Sequence, residues 1–243
     1  MTKVQIPMTN MPSIPTIICP DQSALAEALC EKFLYLAQNA VPGPLTVALS
    51  GGSTPKRFYE RLAQVPYLEK IPWTRVEFFF GDERAVPPEH ADSNYRMAHE
   101  ALLQKVPSKV HRMEAEPGRA GEYEQLVRAR VPAGNKGLPR FDLILLGIGT
   151  DGHTASLFPG TAALEEKGKL VVMNEVPQLN TRRMTFTFPL INVAKKVWVL
   201  APGKEKREVV QACLKNADAP YPIARIKPEP GELLWWLDRE SAF

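Results

Sequence analysis

The strongest constraint on this chain is an order that repeats along it: a short apolar run enters a glycine-bearing polar loop, and a helix-length stretch follows. Leu45 to Leu49 leads into Ser50-Gly51-Gly52-Ser53-Thr54-Pro55, then into Phe58, Leu62 and Val65 at helical spacing. Val76 to Phe80 ends at Gly81, before a charged loop to Asn94 and a helix from about Ser93 that turns Met97, Ala101 and Leu102 inward. Asp142 to Leu146 opens into Gly147-Ile148-Gly149-Thr150-Asp151-Gly152-His153. Runs at Leu170 to Met173, Met184 to Phe188 and Val197 to Ala201 alternate with helical stretches, the clearest at Glu205 to Leu214. Near the start, Asp21 or Ser23 can cap a helix whose Leu25, Leu29, Phe33 and Leu36 face a core. Parallel strands need a crossover that a helix supplies, so the order predicts a mainly parallel sheet with helices on both faces. Such sheets hold ligands beyond the carboxyl ends of their strands, where these loops lie. A helix around Tyr123 to Val131 precedes a loop from Pro132 to Pro139. The expectation is a single domain over 1–243, with room for a small lobe.

Composition narrows the function classes. The 30 Lys and Arg residues against 27 Asp and Glu leave a net charge of +3, spread without a basic block, so nucleic acid is not the expected partner. Three cysteines, Cys19, Cys30 and Cys213, lie far apart and form no CxxC pair, which suits a reducing cytoplasm. No apolar run is long enough for a membrane span, and the proline-broken lead-in does not read as an export signal.

Three loops carry candidate chemistry. Ser50 to Pro55 offers consecutive backbone N–H groups at a helix N-terminus, a favourable place for phosphate. The same residues also make a plain strand-to-helix turn with Thr54 as N-cap and Pro55 at the first helical position, although that leaves the doubled glycine unexplained. Pro55 takes the last position of G-x-S-x-G, so a serine nucleophile is not expected. Gly147, Gly149 and Gly152 satisfy G-x-G-x-x-G, but Pro159-Gly160 stops any long crossover helix and weakens a nicotinamide reading despite Glu175 near the acidic position. His153 stands where a P-loop needs lysine. Histidine beside a carboxylate is well suited to act as a base near neutral pH, so Asp151 and His153 are catalytic candidates, with loop bracing as the alternative. Asp82, Glu83 and Arg84 bring charge to the same sheet edge. Arg183 and Lys204 add cations able to meet a phosphate.

Ser-Gly-Gly-Ser-Thr-Pro at 50–55, Gly-Asp-Glu-Arg at 81–84 with Val86-Pro87 and Ser93-Asn94, and Gly-Ile-Gly-Thr-Asp-Gly-His-Thr-Ala-Ser-Leu-Phe-Pro-Gly at 147–160 together resemble the 6-phosphogluconolactonase family. Arg183-Met-Thr-Phe-Thr, Pro202-Gly203 with Lys204 and Lys206, and the tail from Gly231 to Asp238 extend the resemblance over nearly the whole chain. The sister glucosamine-6-phosphate deaminases share the glycine loop but typically continue into Phe-Asn-Glu-Pro, where this chain has Ser156-Leu157-Phe158-Pro159. The resemblance implies a Rossmann-like three-layer α/β sandwich, similar to sugar-phosphate isomerases. It also implies hydrolysis of 6-phospho-D-glucono-1,5-lactone to 6-phosphogluconate in the pentose phosphate pathway, without metal or organic cofactor. On that basis His153 is the expected general base, Asp151 positions it, Arg84 steadies the lactone or its oxyanion, and Asp82 organises Arg84 or a sugar hydroxyl. Ser50, Gly51, Gly52, Ser53 and Thr54 would hold the phosphate, aided by Arg183 and Lys204, with Lys206 the alternative lysine.

Two other outcomes stay open: a deaminase, and a non-catalytic sugar-phosphate-sensing domain. The roughly twenty residues before the first helix are too few for the helix-turn-helix that usually accompanies such sensors. A cytoplasmic monomer or small homo-oligomer acting on a phosphosugar lactone is expected.

Overall fold

The computed structural model describes residues 14–40, 43–116, 118–134 and 137–243; the proline-bearing lead-in before residue 14 lies outside them. In chain order the elements are β1 (Thr16–Cys19), α1 (Gln22–Asn39), β2 (Leu45–Leu49), α2 (Ser53–Leu62), α3 (Tyr67–Lys70), β3 (Val76–Phe80), β4 (Asp82–Arg84), α4 (Asn94–Ala101) and β5 (Lys109–Val110). There follow α5 (Ala120–Arg130), β6 (Leu143–Gly147), β7 (Val171–Val176), β8 (Thr181–Phe186), α6 (Phe188–Ile191), β9 (Lys196–Leu200), α7 (Arg207–Lys215), β10 (Glu232–Asp238) and α8 (Arg239–Ala242).

Seven strands form one sheet in the order β1-β10-β9-β6-β2-β3-β5, and every neighbouring pair is parallel. Helices cover both faces. That double cover explains why β2, β3 and most of β6 are buried at successive positions rather than alternately. Glu77 is the polar exception in β3; it is buried but takes hydrogen bonds from Lys109 Nζ and His111. On one face α1 packs against α2, and α2 against α4. Asp21 caps α1, its carboxylate accepting from the Ala24 N–H at 2.8 Å, and Leu25, Leu29 and Phe33 are buried as their spacing requires, with Leu36 half-buried.

The chain builds outward from β2 through β3 to β5, then returns to place β6 on the other side of β2 and continues through β9 to β10. The reversal falls between β2 and β6, so the loops after these strands flank the crevice where open α/β sheets take ligands.

The structure departs from the sequence expectations locally. Helix α2 begins at Ser53, capped by the Gly52 backbone rather than by Thr54, and Pro55 falls at the third helical position. The runs around Leu170 and Met184 are not separated by a helix. They form β7 and β8, joined by a tight turn over Pro177–Leu179 with Asn180 at φ 46°, and they pair antiparallel. Residues 82–84, expected in a loop, are β4, which pairs antiparallel with β8 and completes a second, three-stranded sheet. The helix expected from Glu205 starts at Arg207 after a short turn over Lys204–Lys206. Ala133 and Pro139 form an antiparallel bridge, and the chain after Pro139 enters β6 at the centre of the main sheet.

Candidate active site

The loop after β6 folds tightly on itself. Gly149 N–H donates to the His153 carbonyl at 2.9 Å, Gly152 N–H to the Gly149 carbonyl at 3.0 Å, and Thr154 Oγ to the Gly147 carbonyl at 2.8 Å. Gly152 has φ +75°, and a Cβ there would also strike the Tyr221 ring. A Cβ on Gly149 would lie 2.1 Å from His153 Nδ1, so the glycine admits the imidazole.

His153 Nδ1 lies 2.6 Å from Asp151 Oδ1, which also accepts from the His153 backbone N–H at 3.1 Å. Burial alone would raise the Asp151 pKa. The His153 backbone N–H and the neighbouring imidazole outweigh it and hold the carboxyl below its usual range. An ionised carboxylate at Nδ1 favours a proton on that nitrogen, leaving the Nε2 lone pair outward. One imidazole face stacks on Phe158, with centroids 4.0 Å apart and planes 23° apart. The Arg183 guanidinium carbon lies 5.7 Å from the same Phe158 ring centre.

Arg183 and Arg84 are directly opposite each other across β8 and β4. Like charges so placed repel. Burial, then the Arg84 charge, pull the Arg183 pKa below its usual value. The Nε atoms of both are buried and, among the described residues, have no hydrogen-bond partner, while an Arg84 terminal nitrogen donates to the Asp92 carbonyl. Two adjacent cations with unspent donors fit an anion.

Of the two alternatives expected for Asp82, Arg84 or a sugar hydroxyl, the first is not met. Asp82 makes no ion pair or hydrogen bond with Arg84 among the described residues; its carboxylate accepts from Ser156 Oγ at 2.7 Å and Asn94 Nδ2 at 3.4 Å. Ser156 is in turn held by Thr185 Oγ, which accepts its N–H, and by Asn174 Nδ2, which donates to its carbonyl. Next to Asp82, the Glu83 carboxylate accepts from the backbone N–H groups of Arg84, Asn94 and Tyr95 and from Ser93 Oγ, fastening β4 to the start of α4. Burial pushes the Glu83 carboxyl up despite these donors.

At the β2 loop, a Cβ on Gly51 would lie 1.9 Å from Asn94 Oδ1, and Gly52 has φ +102°. The doubled glycine is thus accounted for by a close approach and a glycine-only backbone. Ser50 N–H is already committed to Tyr59 Oη at 3.1 Å. The N–H groups of Gly51, Gly52, Ser53 and Thr54 have no partner among the described residues and stand at the N-terminus of α2. Lys204 is exposed at the loop after β9, whose Leu200 pairs with Gly147 of β6, and it has no ion pair among the described residues. Lys206, half-buried, sits at the N-cap of α7.

Asn94, Ser156 and Phe158 were visible as letters in the motifs, yet their positions in the site come only from the packing of three loops. The sequence carried no stronger signal than their place within those motifs.

These features define an open α/β protein with an imidazole–carboxylate pair and an arginine pair gathered at the switch point of its parallel sheet. Residues 20–235 match the family described as glucosamine-6-phosphate isomerases/6-phosphogluconolactonase, and the chain belongs to that family. It is 39% identical over 232 residues to a 6-phosphogluconolactonase of Nostoc sp. strain PCC 7120, covering 91% of this chain and 94% of that one. A 6-phosphogluconolactonase structure from Leishmania guyanensis superposes with TM-score 0.85 at 32% identity, over 94% of this chain and 97% of that one. A monomeric glucosamine-6-phosphate deaminase shares the fold, with TM-score 0.76 at 21% identity over 94% and 99% of the two chains.

Proposed function

We propose that this protein hydrolyses 6-phospho-D-glucono-1,5-lactone to 6-phospho-D-gluconate, a step of the pentose phosphate pathway. The observation that carries this is His153, with Nδ1 tied to Asp151 and Nε2 without a partner among the described residues, beside two arginines with spare donors. Its kinship to named 6-phosphogluconolactonases supplies the substrate.

In this reading a water adds to the lactone carbonyl as Nε2 takes its proton. Arg84 neutralises the oxyanion, collapse breaks the bond to the ring oxygen, and the imidazolium holds the proton that the departing oxygen needs. Asp151 keeps the tautomer. Arg183, Lys204 and the free N–H groups of Gly51 to Thr54 take the phosphate, with Ser50 contributing through its hydroxyl. Asp82 acts through Ser156 and Asn94, joining the three loops. The antiparallel sheet is then a lobe of one domain, since Met184 and Phe186 belong to the same apolar core as β2 and β6.

Three buried, unpaired thiols support a reducing compartment such as the cytoplasm. Among the described residues no helix is long and apolar enough to cross a membrane. The evenly spread charge supports a small-molecule partner rather than nucleic acid, for a monomer or small homo-oligomer.

Freshly made lactone and glucosamine-6-phosphate, offered separately, test this. Acid release from the lactone above the enzyme-free rate, with no ammonia from the amino sugar, is the expected result. Ammonia without lactone turnover would make the protein a deaminase. Phosphosugar binding with neither reaction would make it a sensor.

A further inference from the structure

Phe158 is 2% exposed, yet it stands outside the continuous apolar core to which its neighbour Leu157 belongs. Its known aromatic and cationic neighbours are instead His153 and Arg183. A large apolar side chain buried against site groups calls for a role there.

The hydrogen bond that the imidazole donates to Asp151 holds it through Nδ1. A turn about χ2, a broad torsion, moves Nδ1 and Nε2 together, and a single hydrogen bond tolerates some tens of degrees of misalignment, so Asp151 alone limits that turn only loosely. Stacking at 4.0 Å on a fixed plane narrows it further. The platform is itself fixed. The Phe158 carbonyl accepts from Thr161 N–H at 3.2 Å and Thr161 Oγ at 2.8 Å, and Thr161 Oγ accepts from buried Asn174 at 2.9 Å. On the N-terminal side, Ser156 is tied to Asp82 and Thr185.

Resting on the lactonase reading, we propose that Phe158 is a positioning residue: its ring sets the plane of the His153 imidazole, and so the direction of Nε2, while seating the Arg183 guanidinium on the same ring. Asp151 sets the tautomer and limits the χ2 turn, and the Phe158 stack narrows it to one plane. The base then faces the anion site at a constant distance.

The tests are Phe158→Leu, which keeps apolar bulk without a plane, Phe158→Met as a second non-planar variant should leucine fail to fold, and Phe158→Tyr, which keeps the plane. Phe158→Leu is expected to lower kcat by about tenfold to a hundredfold, the scale of a small misplacement of a reacting group, with KM changed much less. Phe158→Tyr should recover most of the loss. In histidine-labelled protein, the His153 ring protons, assigned by their absence in His153→Gln, should show an aromatic ring-current shift that Phe158→Tyr keeps and the leucine and methionine variants lose. A merely structural Phe158 would lower the melting temperature and leave these two signatures in place. Folded leucine or methionine variants with wild-type kcat, or wild-type protein without the ring-current shift, overturn the proposal and leave the lactonase reading intact. Absence of lactone turnover in the wild type sinks that reading, while the ring-current measurement still decides the stacking.

Discussion

In the proposed reaction His153 is the general base. Replacing a positioned general base costs about a hundredfold to ten-thousandfold in rate. His153→Gln, which keeps hydrogen-bonding capacity but takes no proton near neutrality, should reduce kcat on that scale while product binding and fold persist. A folded glutamine variant that binds 6-phosphogluconate and keeps most of its background-corrected kcat would remove His153 as base. The pH dependence follows from the same pair. Because the Asp151 carboxyl is held below its usual range, its ionised form survives well into acid and is lost only as pH falls through that lowered value. The contact that Asp151 makes with the imidazole should therefore persist as pH falls until that lowered value is reached. Arg183 and Lys204 are assigned uniform binding of the phosphate. Alanine at either should raise KM more than it lowers kcat, and a lactone lacking phosphate should be a poor substrate. Equal KM for lactones with and without phosphate would detach both cations, and the Gly51 to Thr54 loop, from phosphate.

At the scale of elements, two connections hold the site. Gly52 adopts φ +102°, ψ 170°, a conformation essentially restricted to glycine. Gly52→Ala should cost about 1–3 kcal/mol in chemical denaturation. It should also raise KM, because the strained turn aims the first N–H groups of α2. Glu83 fastens β4 to α4 by accepting from three backbone N–H groups and one hydroxyl. Its folded pKa is raised by burial. A raised carboxyl pKa means that the native state holds the proton more tightly, so this contribution is full below the unfolded pKa and is lost as pH rises through the folded value. Compared with Glu83→Gln, the wild type should therefore lose stability as pH is raised through that interval. A parallel pair of denaturation profiles would show that burial does not govern Glu83.

For the whole molecule, the three thiols report on the integrity of the core. Cys19, Cys30 and Cys213 are 2%, 0% and 1% exposed. Burial raises all three thiol pKa values, that of Cys213 to about 11. The native protein should react negligibly with a thiol reagent at neutral pH, whereas unfolding should release three equivalents. Rapid labelling of native protein would contradict the packing of α1 and α7. By itself the sequence determined the strand–loop–helix order, the parallel sheet and the glycine-bearing loops at the strand ends, and narrowed the cap of α1 to Asp21 or Ser23. These follow from local periodicity, turn residues and motif spacing, which act over a few positions. Tertiary structure alone decided that residues 82–84 pair with β8, that Asp82 bonds Ser156 rather than Arg84, that Gly51 yields to Asn94, and that Phe158 underlies His153. The first three of these join segments tens of residues apart, and such partners are chosen by which surfaces the folded sheet brings together. No local pattern in the chain encodes that choice.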